Sequence, residues 1–324
     1  MLFTIHKKEK IYFNAMRAIG IIFWFFLASP FIINIITLFT SPLSLKLAIM
    51  KLILVKIMSY SVIFIYFIIF LVFKLCASFW LIGYLRGNAI NINKEQFPDI
   101  FEILKTQATR LHLEKVPALY VLQGGGLLNA FASRFAGKNH VVLYSDVLEV
   151  AYKEGRAAVE FIIGHELGHI KRKHVYGLKS LLIAPARLVP FLSRAYSRAC
   201  EYTCDNIGYS LSPAGAQTGI LILAAGKELY KKVNVKALLA TNEGGFILWF
   251  SEIFSTHPHL INRLASLQEL EQKNTVNNFE INPAQSALFK YSSSSQSMQE
   301  SSNAQELLKS YEDFYGKQKK ENQK

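Results

Sequence analysis

Two histidines four residues apart, with a glutamate directly after the first, are the feature of this chain with the clearest chemistry. They are His165, Glu166 and His169, in the pattern HExxH. If this segment is helical, the two imidazoles lie about 40° apart around the helix and can bind the same metal ion. Glu166 then lies beside the open coordination position, where a carboxylate can act as a base. The pattern therefore predicts a zinc site that activates water for hydrolysis.

A catalytic zinc site needs a third protein ligand. One known pattern places a third histidine six residues after the second, with a glycine three residues before it. Here those two positions hold Val175 and Arg172, and His174 comes one residue too early. The other common solution is a glutamate on a later helix. Glu201 and Asp205 are four apart and would share a helix face, so that one binds metal and the other accepts a hydrogen bond from a ligating histidine. The alternative is an acidic patch that pairs with neighbouring arginines.

Several segments match the motifs of one known family in order. Over about residues 95–270 they resemble those of the HtpX-like and CAAX prenyl protease-like integral-membrane zinc metallopeptidases. The matching segments are NAFA at 129–132 with the strand-like 139–144 after it, HELGH at 165–169, SRACEYTCD at 197–205 (with Cys204 where the family pattern has Ala), and STHPHLINR at 255–263.

The resemblance implies a metal centre and a base. It implies one Zn²⁺ per chain, bound by His165, His169 and Glu201, with Asp205 as hydrogen-bond partner of a ligating histidine. Glu166 would be the general base that takes a proton from the attacking water and delivers it to the leaving amine.

The resemblance also implies groups that contact the substrate. His257, and after it Arg263, would donate a hydrogen bond to the oxyanion. Asn129 and Ala130 would lie near the sheet edge that holds the substrate as an added strand. The residues alone also allow a plainer interpretation, in which Pro258 begins a helix and Arg263 pairs with an acid.

Two long apolar segments precede these motifs. Residues 18–40 carry no charge, and residues 57–84 carry only Lys74. Each is long enough for a transmembrane helix, so we expect a membrane anchor over residues 1–90 with a loop at about 41–56 between the two spans. Cations before the first span and after the second favour a catalytic domain in the cytosol. The expected location is a bacterial inner membrane.

The expected fold after the two transmembrane helices is mainly α with a small β-sheet, the α+β class of gluzincin-like peptidases, over residues 91–272. Short strands are predicted at 118–122 and 140–144. Two stretches stay open. Residues 177–193 are too short to span a membrane and form either a hairpin in the headgroup region or an ordinary buried helix. Residues 246–254 are expected in the core, with a substrate wall or a membrane contact as alternatives.

Composition limits the partners of the chain. It has 324 residues, 51% of them apolar, and a net charge of +13. The cations lie beside the spans, after HExxH and in the tail, without a nucleic-acid-binding motif, so we expect contact with the lipid bilayer and no nucleic acid. Residues 273–324 are rich in Ser, Asn and Gln and are expected to be a largely disordered tail.

The expected function is proteolysis of proteins or peptides, including membrane proteins, in quality control or processing. The alternative is a proteolytically inactive zinc-binding membrane adaptor or chaperone-like scaffold. The intact Glu166 argues against that alternative, because a site that only binds metal does not need the base.

Overall fold

The computed structural model describes residues 3–40, 42–125, 129–135, 137–174, 182–241 and 245–281. Contacts divide the chain into two compact units, Met1–Leu267 and Gln268–Lys324. All of the candidate site residues belong to the first unit.

The chain begins with two long apolar helices, α1 (Lys7–Thr40) and α2 (Leu43–Asn88). Within them, Lys7–Thr37 and Ile65–Asn88 are long and apolar enough to cross a membrane. In the most apolar stretch of each, 6% and 0% of the residues are buried by the rest of the protein. The predicted loop at 41–56 is wrong, because α2 begins at Leu43 and the residues that follow are good helix formers without a Gly or Pro.

A four-stranded sheet follows the apolar helices. Its strands are β1 (Ala89–Ile92), β2 (Ala118–Leu122), β3 (Ala130–Phe135) and β4 (Lys138–Tyr144), in the order β1-β2-β4-β3. The central pair, β2 and β4, is parallel, and the outer pairings are antiparallel. The two predicted strands are confirmed, with β4 starting two residues earlier than expected. The edge strand β3 includes residues 130–132 of the NAFA segment.

Helices make up most of the rest, so the mainly α fold with a small sheet is confirmed. They are α3 (Pro98–Arg110), α4 (Ser145–Lys153), α5 (Arg156–Lys171), α6 (Pro190–Leu211), α7 (Pro213–Leu229), α8 (Val235–Ala240), α9 (Phe246–Ile253) and α10 (Leu260–Ile281), with 3₁₀ turns at Pro185–Leu188 and Tyr230–Lys232. The part of the predicted disordered tail before Ile281 is helical. The remainder, residues 282–324, lies outside the described residues.

The core is built around α5, which is buried on nearly every side between α6, α7 and the sheet. Two close approaches between helices need glycine. A Cβ on Gly168 would lie 3.2 Å from Cα of Cys204, and one on Gly208 would lie 2.9 Å from the ring of Phe161. Because Gly168 has no side chain, the backbones of α5 and α6 lie close together at that point, and Gly208 leaves room for the Phe161 ring. Short side chains from both helices can therefore come into contact.

Two local expectations are wrong. Pro258 does not begin a helix, because α10 starts at Leu260 and the Ser255 hydroxyl instead donates to the carbonyl of His257 at 2.6 Å. Helix α9 is not part of the core, since none of its residues is buried. Of the stretch 177–193, residues 177–181 lie outside the described residues, and Ile183 further on is buried.

Candidate metal centre

Helix α5 carries the first three candidate residues. His165 and Glu166 are 7% and 5% exposed, and the His169 side chain is 18% exposed. The imidazole rings of the two histidines lie 5.1 Å apart, centre to centre. The HExxH segment is thus helical, and it directs both rings toward the same space.

Helix α6 brings Glu201 to the two histidines. Its Oε2 lies 3.4 Å from Nε2 of His165, and its Oε1 lies 3.5 Å from Nε2 of His169. One donor atom from each of the three residues lies within 4.8 Å of the others. Two imidazole nitrogens and a carboxylate oxygen are the protein ligands of many hydrolytic zinc sites. The donor set therefore fits a zinc ion, provided that Nδ1 of each ring is bound elsewhere.

Asp205, one helical turn after Glu201, binds the outer nitrogen of His165. The distance from Nδ1 to Oδ1 is 2.9 Å. Arg263 donates to both oxygens of the same carboxylate, from Nε to Oδ2 at 2.8 Å and from Nη2 to Oδ1 at 2.6 Å. An acceptor at Nδ1 favours the tautomer that leaves Nε2 of His165 for a metal. Glu201 and Asp205 do not form the solvated acidic patch considered as an alternative, because both are buried. The pairing of Arg263 with an acid, which the plainer interpretation expected, is present.

His169 has a partner that the sequence did not predict. Its Nδ1 lies 3.3 Å from Nδ1 of His174, and Nε2 of His174 lies 3.3 Å from Oε1 of Glu9. Arg172 donates to the same Oε1, from Nη2 at 2.8 Å and from Nε at 3.2 Å. One set of tautomers satisfies these contacts: Nδ1–H of His169 donates to His174, and Nε2–H of His174 donates to Glu9. Nε2 of His169 is then left for a metal.

The N-terminal segment, residues 4–9, reaches the site because it lies along α6. The backbone N–H of His6 donates to Oγ1 of Thr203 at 3.1 Å. The side-chain amide of Asn206 donates to the carbonyl of Thr4 at 2.9 Å. These two contacts place the end of the segment behind the metal centre, on the side away from Glu201.

The sequence contains only weak signals for the two residues that were missed. His174 is a third histidine close to HExxH, and Glu9 is the one acid among the lysines that precede the first apolar run. Their contact joins positions 165 residues apart. No local spacing can reveal such a pairing.

The different partners give the two histidines different proton affinities. Burial alone would lower the pKa of His165, but hydrogen bonds and charge from Asp205 and Glu201 raise it to about 10. Burial dominates at His169 and lowers its pKa to about 3. The pKa of Glu201 is lowered in spite of its burial, by the charges of the two histidines. Without metal, the centre therefore holds an imidazolium at His165 between two carboxylates.

Glu166 lines the cavity beside the three donors without being one of them. Burial, with the charge of Glu201, raises the pKa of Glu166 to about 7, against the opposing charges of His165 and Arg263 and a hydrogen bond from the backbone of Ala132. A carboxyl with a pKa near neutrality can both accept and return a proton.

A cavity of about 500 Å³ connects these groups to the surface. One wall is the edge strand β3, which begins at Ala130. Asn129 directly precedes the strand, and its side chain accepts the N–H of Ala130 at 2.9 Å. The opposite wall contains His257, whose Nε2 lies 3.9 Å from Oε1 of Glu201 and whose side chain is 67% exposed. The cavity brings together all the metal, catalytic and substrate-binding residues predicted from the sequence, and Asp205 lies directly behind His165.

The two cysteines of α6 lie behind the centre, near His174, where further groups of metal-ligand side chains can be drawn. Sγ of Cys204 is 3.8 Å from Nδ1 of His174. Burial raises the pKa of both the Cys200 and the Cys204 thiol. Because the thiolate is the form that binds metal, and because Glu9 is already paired with a guanidinium, the group of His165, His169 and Glu201 is the one that fits zinc.

Comparisons with known proteins point to one peptidase family. The model of peptidase family M48 matches residues 94–184 and 176–271, which together make up more than half of the 324 residues. Among solved structures, the chain is similar to the crystal structure of S. mikatae Ste24p, with 15% sequence identity, a TM-score of 0.39, and coverage of 62% of this chain and 57% of that one. The chain thus spans less than two thirds of the length of that protein. No curated protein matches the chain.

Proposed function

This chain belongs to peptidase family M48, and from that premise we propose that it is a membrane-anchored zinc metalloendopeptidase acting on protein or peptide substrates. The observation that supports the proposal most directly is one cavity in which three metal donors lie within 4.8 Å of one another and a buried glutamate lies beside them. A site built only to bind metal would not need that glutamate.

The proposed metal ligands are His165, His169 and Glu201, which would hold one Zn²⁺. Zinc supplies Lewis acidity when bound, since it polarises a carbonyl and acidifies water. Asp205 keeps the ring of His165 in its ligating tautomer, and His174 does the same for His169.

Glu166 is the proposed general base. With its pKa near 7, its carboxylate accepts a proton from the attacking water and then delivers that proton to the nitrogen of the scissile amide. Its burial keeps bulk water from competing for the proton during the transfer.

The substrate is proposed to bind as an extended strand beside β3. The edge of this strand offers backbone hydrogen-bonding groups that do not depend on substrate sequence. His257 is the proposed donor to the carbonyl oxygen as it gains negative charge, because its side chain lines the same cavity as β3 and its Nε2 lies 3.9 Å from Oε1 of Glu201. Arg263 remains the second candidate donor, although its Nε and Nη2 atoms are bound to Asp205.

The apolar helices α1 and α2 are proposed to anchor the peptidase in a membrane, with its catalytic domain on the cytosolic side. In that position its substrates would include membrane proteins that need processing or removal.

The proposal is tested by comparing Glu166→Gln and Glu201→Gln with the wild-type protein, purified in detergent, for zinc content and casein cleavage. We expect Glu166→Gln to retain zinc and to lose about 10²–10⁴-fold in cleavage rate, the usual contribution of a general base. We expect Glu201→Gln to lose both zinc and cleavage, since it removes a charged ligand.

Glu160→Gln is the matched control, because Glu160 lies on the same helix, outside the cavity, and pairs with Arg156. It is expected to behave as the wild type in both measurements. Casein cleavage that persists at the wild-type rate in Glu166→Gln would contradict the proposed role of Glu166. A wild-type protein that binds one zinc and cleaves nothing would favour the adaptor alternative.

A further inference from the structure

Helix α9 presents apolar side chains in nearly every direction. Its sequence, FILWFSEI, has none of its residues buried. Phe246, Ile247, Trp249 and Phe250 are 72%, 80%, 59% and 50% exposed. An exposed patch of this kind marks a surface that meets another apolar phase or partner.

The patch continues beyond α9 through aromatic contacts. The ring of Phe250 packs on Phe254 at 5.2 Å, and Phe254 packs on Phe191, at the start of α6, at 5.5 Å. Phe191 is itself 51% exposed, and the nearby Leu188 is 82% exposed. We call α9 together with Leu188, Phe191 and Phe254 the aromatic surface.

The aromatic surface is joined to the first apolar helix. Around it, residues 182–196 pack on α1, where Ile183 and Ala186 form one buried cluster with Met16. The approach is closest at Gly20, where a Cβ would lie 1.9 Å from the carbonyl oxygen of Leu182. The aromatic surface is therefore fixed to the part of α1 between about residues 13 and 20.

The charged residues of α1 end within this part of the helix. Arg17 is the last charged residue before the uncharged residues 18–45. In a membrane-spanning helix, that point marks the boundary between headgroups and acyl chains. The contacts with α1 therefore place the aromatic surface close to the same boundary.

The charges around the aromatic surface fit an anionic membrane. Arg194 lies over the ring of Phe254, with Cζ 6.0 Å from the ring centre, and Arg187 is exposed beside Leu188. Glu252, the one acid of α9, is turned inward, where its Oε1 accepts the backbone N–H of His259 at 3.2 Å. A cationic rim around an aromatic centre is typical of surfaces that lie in the headgroup region.

We propose that the aromatic surface inserts into the leaflet that α1 enters first, as a membrane contact of the catalytic domain additional to α1 and α2. The occupant of the patch is thus the phospholipid bilayer, with acyl chains against α9 and anionic headgroups against Arg187 and Arg194. Of the alternatives considered for residues 246–254, this is the membrane contact.

The insertion also fixes where the cavity opens. Arg198, one turn before Glu201 on α6, donates to the carbonyls of Glu252 at 2.6 Å and of Ser255 at 2.7 Å. His257, on the cavity wall, follows two residues after Ser255. The end of α9 is therefore tied to the helix that carries a metal donor, and the cavity lies beside the bilayer, where chain segments next to the membrane are within reach.

The test uses Trp249 as a fluorescent reporter. The chain has three tryptophans, and replacing the exposed Trp24 and Trp80 by Phe leaves Trp249 as the only emitter. The full-length protein is reconstituted in phosphatidylcholine–phosphatidylglycerol vesicles, with or without bromine on the acyl chains. We expect bromolipid to reduce Trp249 emission, acrylamide to have little effect, and the emission maximum to lie at shorter wavelength than that of tryptophan in water.

The matched control moves the reporter to a different element of the catalytic domain. Tyr152→Trp, with all three native tryptophans replaced by Phe, places the emitter on α4, where the native side chain is 50% exposed. It should be quenched by acrylamide and not by bromolipid. Ile247→Ser with Phe250→Ser, added to the Trp249 reporter, should weaken the bromolipid quenching by removing apolar area from the membrane.

Two results would overturn the inference. Acrylamide quenching of Trp249 without bromolipid quenching would mean that the aromatic surface faces water. Protection from both quenchers would mean that protein covers it, either a second copy of the chain or residues 282–324. The inference rests on the proposed anchoring by α1 and α2, but none of these measurements needs peptidase activity, so they succeed or fail independently of the proposed proteolysis.

Discussion

The two histidine ligands come from the same helical turn but are held by different parts of the molecule. His165 is bound by Asp205, an acid on the helix that also supplies Glu201, and the pair is completed by Arg263. His169 is bound by His174, which is bound in turn by Glu9 in the first turn of α1. The support of one ligand is thus internal to the catalytic domain, whereas that of the other depends on the membrane anchor.

The two ligands are held by partners that differ in charge and in distance. The Asp205 carboxylate lies 2.9 Å from Nδ1 of His165 and is held in place by two hydrogen bonds from Arg263. His165 therefore has a rigid, negatively charged partner. The contacts of 3.3 Å at both nitrogens of His174 are longer, and they place the carboxylate of Glu9 one residue away from His169, so they orient His169 with little effect on its charge. We therefore expect changes on the Asp205 side to be larger than changes on the Glu9 side.

The largest effect is expected for Asp205→Ala. Its loss leaves the mostly buried guanidinium of Arg263 without its partner, which should lower the free energy of unfolding by about 3–5 kcal/mol. Zinc affinity should fall by up to about 100-fold as His165 loses its hydrogen bond. Chemical denaturation of the metal-free protein and zinc competition with a chelator measure the two quantities. Asp205→Asn, which keeps the volume of the side chain, should have smaller effects on both quantities. Equal zinc affinity in the wild type and Asp205→Ala would contradict the stronger support expected from the Asp205 side.

The pH dependence of zinc binding should separate the two ligands. The raised pKa of His165, about 10, means that this residue is protonated in the metal-free protein at neutral pH and must lose its proton to bind zinc. His169, with a pKa of about 3, is already neutral. Deprotonation of His165 should therefore make zinc affinity rise about tenfold per pH unit between pH 7 and 9. Each zinc that binds should release about one proton from His165. Calorimetry in buffers of different ionisation enthalpy counts the protons.

Asp205→Asn provides the contrast for this measurement. It removes a charge that raises the pKa of His165, so fewer protons should be released at a given pH. His174→Phe should leave the count near one. A count unaffected by Asp205→Asn would assign the proton to another group.

A smaller effect is expected for His174→Phe. The ring of His169 loses its hydrogen bond while the Asp205–Arg263 pair stays intact, so zinc affinity should fall by about tenfold, the lower end for such partners. The absorption spectrum of the cobalt-substituted protein, which reports ligand geometry, should change as well. Lys173→Gln, at the exposed neighbouring position, is the control and should change neither quantity. An unaltered spectrum and affinity in His174→Phe would remove His174 from the support of His169.

The smallest effect is expected for Glu9→Gln. Its amide oxygen can still accept from His174, but the charge that pairs with Arg172 is lost. Because Glu9 acts on His169 only through His174, zinc affinity should fall by less than about tenfold. Adding Glu9→Gln to His174→Phe should then cause no further loss, since contacts in one chain do not add. Additive losses would show that Glu9 acts by another route.

Sequence spacing predicted the half of the site that is local. His165 and His169, and likewise Glu201 and Asp205, are four residues apart on one helix each, and helical geometry alone brings the members of each pair to one face. Spacing also predicted β2 and β4, because buried strands in the middle of a sheet are dense in branched apolar residues. The edge strands β1 and β3 carry too many polar or small residues for that signal.

The other half of the site depends on tertiary contacts. Glu9 resembles a solvated charge in a basic flank, and only its position against α6 makes it part of the metal centre. Helix α9 was expected in the core because its residues are apolar, but composition does not distinguish a protein interior from a bilayer. The loop expected at 41–56 was the interval between the two apolar runs. It contains three lysines, which a helix accommodates by directing them to its ends or to water.

The position of the N-terminal segment has a consequence for how the protein is made. Thr4 and its partner Asn206 are 202 residues apart, and both long apolar helices lie between them. During translation the segment leaves the ribosome before α6, so it finds its binding surface only after α1 and α2 have been synthesised and α6 has followed. We therefore expect the outer support of His169 to form last, after both apolar helices of the proposed anchor have been synthesised. The order of synthesis would then delay only the last part of the zinc affinity, the less than about tenfold that Glu9 contributes through His174.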